Sequence, residues 1–206
     1  MLALLLVLAA APEPLTIVRK HAVGQKYAVE YTSADAQAKL TKTFKGTAVV
    51  KSVTPEHTMF DVTVDSMEWT GDPTKKSAKG VKLRVDVQPG AVNAEVVEPG
   101  TLGEDAEFEL TAFEQLMGQL CAPPKGPYYP KKPVVEGSTA WELQAQDEKV
   151  VRLKSSPAPN ADPFTCEVTL SRDDGFAGER TGQLKIAGGK SGPKVDQKQT
   201  FKAKRL

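Results

Sequence analysis

The feature that most constrains this chain is a period of two in its hydrophobic pattern. Val81, Leu83, Val85 and Val87 alternate with Lys82, Arg84 and Asp86. Successive side chains of an extended strand point to opposite faces, so such a run is a strand with one apolar face and one wet face. The same period recurs at Tyr27, Val29 and Tyr31, at Phe60, Val62 and Val64, at Trp141, Leu143 and Ala145, and at Phe164, Cys166, Val168 and Leu170. It is weaker at Leu184 with Ile186 and at Phe201 with Ala203. Polar faces on nearly every strand predict antiparallel sheet solvated on one side. Gln88-Pro89-Gly90, followed by Val92, Ala94 and Val96, predicts a hairpin.

One segment departs from this period. Leu102, Phe108, Ala112, Phe113, Leu116, Met117 and Leu120 have helical spacing, and Thr101 with Glu104 fits a capping box. Pro123 and Pro124 stop the pattern, which predicts an amphipathic helix over residues 102–120. A Pro-rich crossing over 122–133 then leads to Gly137, a position for a turn or bulge, and to a strand anchored by Trp141. The expected fold class is mainly β (α+β), a curved antiparallel sheet or half-barrel of about ten strands with one central helix.

Residues 1–11, with an unbroken apolar run from Leu2 to Leu8 and small residues at Ala9 and Ala11, read as a signal peptide. That leaves 12–206 as a single domain, in the periplasm or outside the cell. No later stretch is apolar for long enough to form a membrane helix. Lys and Arg number 27 against 26 Asp and Glu, and the basic residues are scattered, which argues against nucleic acid as a partner. Lys45-Gly46-Thr47 and Thr181-Gly182-Gln183 form a faint internal echo, each placing a glycine just before a β run.

Catalytic groupings are hard to assemble. His21, expected on the first strand, and His57, in a Thr-Pro-Glu-His-Thr turn, have no spaced metal ligands beside them. No serine sits in a Gly-x-Ser-x-Gly elbow, and Asp173-Asp174-Gly175 lacks the ligand spacing of a calcium loop and reads as a hairpin turn. Asp61 and Asp65 lie on the face opposite Phe60, Val62 and Val64, as a solvated face requires. We therefore expect no enzyme, no metal and no cofactor. Cys121 and Cys166 have no Cys-x-x-Cys spacing; in an oxidising compartment they are expected to form a disulfide, the competing reading being two separately buried thiols.

Pro130, Pro133, Val134, Gly137 and Trp141, with Gly80 opening an earlier strand, resemble the proline, proline-valine, glycine, tryptophan signature of an uncharacterised family of secreted bacterial proteins. Tyr129 and Ser138 stand where that family has leucine and aspartate. The resemblance implies no activity; in its broader look the family is similar to envelope proteins that carry lipids or lipoproteins. The functional expectation is an exported binding protein for an apolar ligand, its site lined by Phe60, Val62, Leu83, Val85, Trp141 and Leu143. From the helix Phe108, Ala112, Leu116 and Leu120 would complete the lining. An envelope scaffold that binds other proteins and no small ligand is the alternative, and a hydrolase a distant third. A cavity of a few hundred cubic ångströms separates the first two readings.

Overall fold

A computed structural model describes residues 14–17, 20–71, 77, 79–88, 91–102, 126–136, 139–157, 163–172, 175–186 and 195–206. The expected signal peptide and the helix expected at 102–120 fall outside these residues, apart from Leu102. Among the described residues the helical structure is one 3-10 turn, Gly100–Leu102, and no helix is long and apolar enough to cross a membrane. Thr101 sits in that turn, its Oγ accepting from the Lys79 amide at 3.0 Å, so it ties the turn back to the residues just before Val81.

Eleven strands account for most of the described chain: β1 (Lys26–Asp35), β2 (Leu40–Val53), β3 (Thr58–Thr70), β4 (Val81–Gln88), β5 (Ala91–Glu98), β6 (Val134–Glu136), β7 (Thr139–Gln146), β8 (Val150–Pro157), β9 (Phe164–Ser171), β10 (Gly178–Ile186) and β11 (Val195–Arg205). They form one antiparallel sheet in the order β5-β4-β3-β2-β1-β11-β10-β9-β8-β7-β6, which is not closed, since β5 and β6 lie at opposite ends. Two meanders run outward from the centre, and the first and last strands join them. Tyr27 faces Arg205, Tyr31 faces Phe201 and Asp35 faces Gln197.

Most residues of the alternating runs are buried on one face, Phe164 and Leu184 only in part. Tyr27, Val29 and Tyr31, Phe60, Val62 and Val64, the four apolar residues of β4, and Cys166, Val168 and Leu170 are all in the core. The expected hairpin forms, with Gln88 opposite Ala91 and Val85 opposite Ala94. Ala145 departs from the expectation. A register shift between Leu143 and Ala145 breaks the alternation, and Ala145 is exposed while Trp141 and Leu143 stay buried.

The opposite face carries cross-strand ion pairs. Lys51 and Asp61 are 3.3 Å apart, Arg84 and Glu95 2.8 Å, Lys154 and Glu167 3.2 Å, and Lys202 and Glu179 3.4 Å. Their side chains are half exposed, so they add little stability, but they keep this face wet and the pairing register unambiguous.

Among the described residues, short segments also lie over the apolar face. Leu15 exchanges backbone hydrogen bonds with Tyr128, at 2.9 and 2.8 Å, and Leu15, Ile17 and Tyr128 are buried. Pro130 bridges to Leu143 on β7. Gly126 has φ +102°, and a Cβ there would stand 2.8 Å from the Leu15 carbonyl oxygen, so glycine is required where these two segments meet. Another is the loop between β9 and β10, where the Gly175 amide donates to the Ser171 carbonyl at 2.9 Å and Phe176 turns into the core.

Candidate functional site

Phe60, Val62, Leu83 and Val85 share one region of the apolar face. Phe60 is opposite Val50 and Val85, and Val62 is opposite Ala48 and Leu83. The cavity bounded by Val29, Phe60, Val85, Phe176 and Phe201 has a volume of about 10 Å³, the size of one water and no more. Val85 and Phe201 stand on strands four spacings apart, roughly 19 Å on a flat sheet. Their common cavity requires the sheet to bend toward its apolar face. Phe176 fills the bend: its ring stacks on Phe60 with centroids 4.9 Å apart and meets Tyr27 edge-on at 4.8 Å.

Trp141 and Leu143 lie elsewhere, on β7 near the other edge of the sheet, opposite Ser155 and Leu153. The sheet therefore does not bring all six strand residues of the expected site together. Phe108, Ala112, Leu116 and Leu120 lie outside the described residues, as does Cys121. Cys166 is buried on β9, its Sγ 3.8 Å from the Glu167 carbonyl oxygen, and no disulfide is present among the described residues.

His21 is not on a strand. It precedes β1 and enters the aromatic cluster, its Nδ1 3.0 Å from Tyr27 Oη and its ring edge-on to Phe60 and Phe176. His57 stays at the surface with Nδ1 3.1 Å from an Asp86 carboxylate oxygen. Among the described residues no three His, Cys, Asp or Glu side chains are grouped to hold a metal ion.

Arg180 is the residue that periodicity overlooks. It occupies an inward position on β10, between Val168 on β9 and Phe201 on β11, and is fully buried. Its guanidinium carbon is 5.6 Å from the Phe176 ring and 5.4 Å from the Phe201 ring, and Nη2 donates to the Phe176 carbonyl at 3.2 Å. The cation thus clamps the loop carrying Phe176 onto the sheet. Charge in a strand normally marks the wet face, and only the register shows that this one points inward.

One open cleft on this face lies between the 15–17 segment and the strands β8 and β9. A cleft of about 280 Å³ is lined by Leu15, Ile17, Val151 and Leu170, with Lys20 and Arg172 among its polar wall residues. Glu148 also borders it. Arg172 is held by its own hydrogen bond, Nη1 to the Asp147 carbonyl at 3.0 Å. The Asp147 carboxylate accepts from the Lys149 and Val150 amides, at 2.7 and 2.8 Å, and these bonds hold its pKa below the usual value. A second depression of similar volume lies on the other face, floored by the Asp61 and Arg84 ion pairs, with Val49, Val62, Leu83 and Val97 in its walls. No known sequence family and no characterised protein matches the chain.

Proposed function

We propose that this protein is an exported, non-enzymatic binding protein of the cell envelope, whose curved, half-barrel-like sheet holds an apolar ligand of acyl type. The observation that carries this reading is the cleft of about 280 Å³ under the 15–17 segment. Its volume is close to the lower end of the roughly 300 to 1,000 Å³ of small-molecule sites; Leu15, Ile17, Val151 and Leu170 supply its apolar wall, and Thr16, Lys20, Glu148, Ser171 and Arg172 a polar wall of at least equal extent. Such a site gains affinity from burying methylenes and orientation from the charged groups. The leader-like pattern of residues 1–11 supports export.

The scaffold reading draws on one specific observation, the nearly filled space around Phe60, Val85 and Phe176, where about 10 Å³ remains. Mass spectrometry of organic extracts from protein purified under native conditions tests the two. The binding reading expects a stoichiometric acyl species in the extract. A clean extract, together with refusal of added acyl ligand, supports the scaffold.

A further inference from the structure

Cross-strand pairs neutralise charge on the wet face of the sheet, as in Lys51 with Asp61 and Arg84 with Glu95. The wall of the cleft under the 15–17 segment is different. Lys20, Arg172 and Glu148 border it, and among the described residues none of the three is in an ion pair.

Arg172 is nonetheless fixed. Its amide donates to the Lys149 carbonyl at 2.8 Å and its Nη1 to the Asp147 carbonyl at 3.0 Å, so two bonds to the turn between β7 and β8 hold both its backbone and its guanidinium. The Asp147 carboxylate is occupied by the Lys149 and Val150 amides and makes no ion pair with it. A guanidinium carries five N–H donors, and the Nε–Nη2 edge of this one, the fork that meets a carboxylate with two parallel bonds, is engaged by no side chain among the described residues.

Lys20 and Arg172 against Glu148 leave one positive charge at this wall. A monoanion complements it, whereas a neutral head leaves it unmet and a phosphate monoester brings a second charge against Glu148. The apolar wall is short. Val151 and Leu170 are opposite each other on β8 and β9, and the next pair inward along those strands, Leu153 and Val168, does not line the cleft. From Leu15 to Ile17 the facing segment advances two residues, roughly 7 Å of extended chain. A tail of about six to eight carbons, with bonds of about 1.5 Å, matches that length.

We infer that the ligand is a medium-chain monocarboxylate of about eight carbons, its carboxylate on Arg172 and Lys20 and its tail against Leu15, Ile17, Val151 and Leu170. This rests on the acyl-binding reading and names its head and its length. The test is displacement of a fluorescent fatty-acid probe from the full chain at neutral pH by octanoate, by octanamide, which has the same shape without the charge, and by dodecanoate. Wild-type protein should release the probe at about tenfold lower octanoate than octanamide, the worth of a hydrogen bond to a charged group. Dodecanoate should do no better than octanoate. Arg172→Gln should remove most of the preference for the carboxylate, and Lys20→Gln, which breaks no hydrogen bond of the turn, should reduce it as well. Glu148→Gln should widen it by about threefold by taking away the opposing charge. Octanamide should be indifferent to all three. Equal displacement by octanoate and octanamide in wild type, a preference that neither Lys20→Gln nor Arg172→Gln lowers, or a narrower one in Glu148→Gln overturns the head site and leaves the acyl-binding reading standing. A steady gain from octanoate to dodecanoate overturns the short tail. Failure of the probe to bind, or of every competitor to displace it, removes the acyl-binding reading and this inference with it.

Discussion

Single residues in this fold are set by which side of the sheet they occupy. Trp141 is 5% exposed, whereas His57 is half exposed at the surface and contacts only Asp86 among the ion pairs. Trp141→Ala should cost about 3 to 5 kcal/mol and His57→Ala less than about 0.5 kcal/mol, read from denaturation midpoints at constant m-value. Tyr31 makes a prediction in pH. Burial, only partly offset by a hydrogen bond with Ser33, pushes its phenol well above the ordinary value of 10.0. The unfolded chain ionises near that ordinary value and the folded one does not, so the folded state holds the extra proton in alkaline solution. Tyr31 therefore contributes its full share of stability below pH 10.0 and loses it as pH rises beyond. Tyr31→Phe should flatten the fall of stability between neutral and strongly alkaline pH; an unchanged slope would show that Tyr31 ionises as freely in the fold as outside it. Arg180 shows what residue-level reading misses. Nothing in Gly-Glu-Arg-Thr-Gly distinguishes an inward arginine from an outward one until β9 and β11 fix the register.

Elements were legible in proportion to how regular their alternation is. The runs in β1, β3, β4 and β9 have the inward residues that the sequence predicts, because each keeps strict period two, with charged or hydroxylated residues, or in β1 Ala28, between. Bulges are where that reasoning stops. The shift beside Leu143 turns Ala145 outward, and another between Lys45 and Gly46 moves the register of β2 against β3. Gly46, read as standing before a β run, lies inside β2, and Gly182 lies inside β10. A Cβ on Gly46 would be 2.4 Å from the Thr63 carbonyl oxygen, a contact no rotamer relieves. Gly46→Ala should therefore destabilise by about 2 kcal/mol or more through forced movement of backbone. Thermal unfolding checks this, and a Tm equal to wild type would contradict the close approach of β2 to β3.

At the scale of the whole molecule, one long-range pairing organises everything else. Each neighbouring pair in the sheet is a sequential antiparallel pair except β1 with β11, which closes the chain's two ends on each other. Local alternation carries no information about that pairing, so the sequence yields strands without their order. It also yields the apolar side chains of the face without their grouping: Phe60, Val62 and Val85 meet around a filled core with Leu83 beside Val62, Trp141 and Leu143 stand apart, and one open cleft lies under Leu15 and Ile17. Leu15 and Ile17 follow the proline-rich break, where no period marks them as lining. The central claim is that this space takes an acyl chain. Titration of delipidated protein with an environment-sensitive fatty-acid probe tests it most directly. The account predicts saturable, stoichiometric binding at micromolar concentration, reduced when Ile17 is replaced by aspartate without loss of the folded state. A linear, non-saturating signal across that range would contradict it.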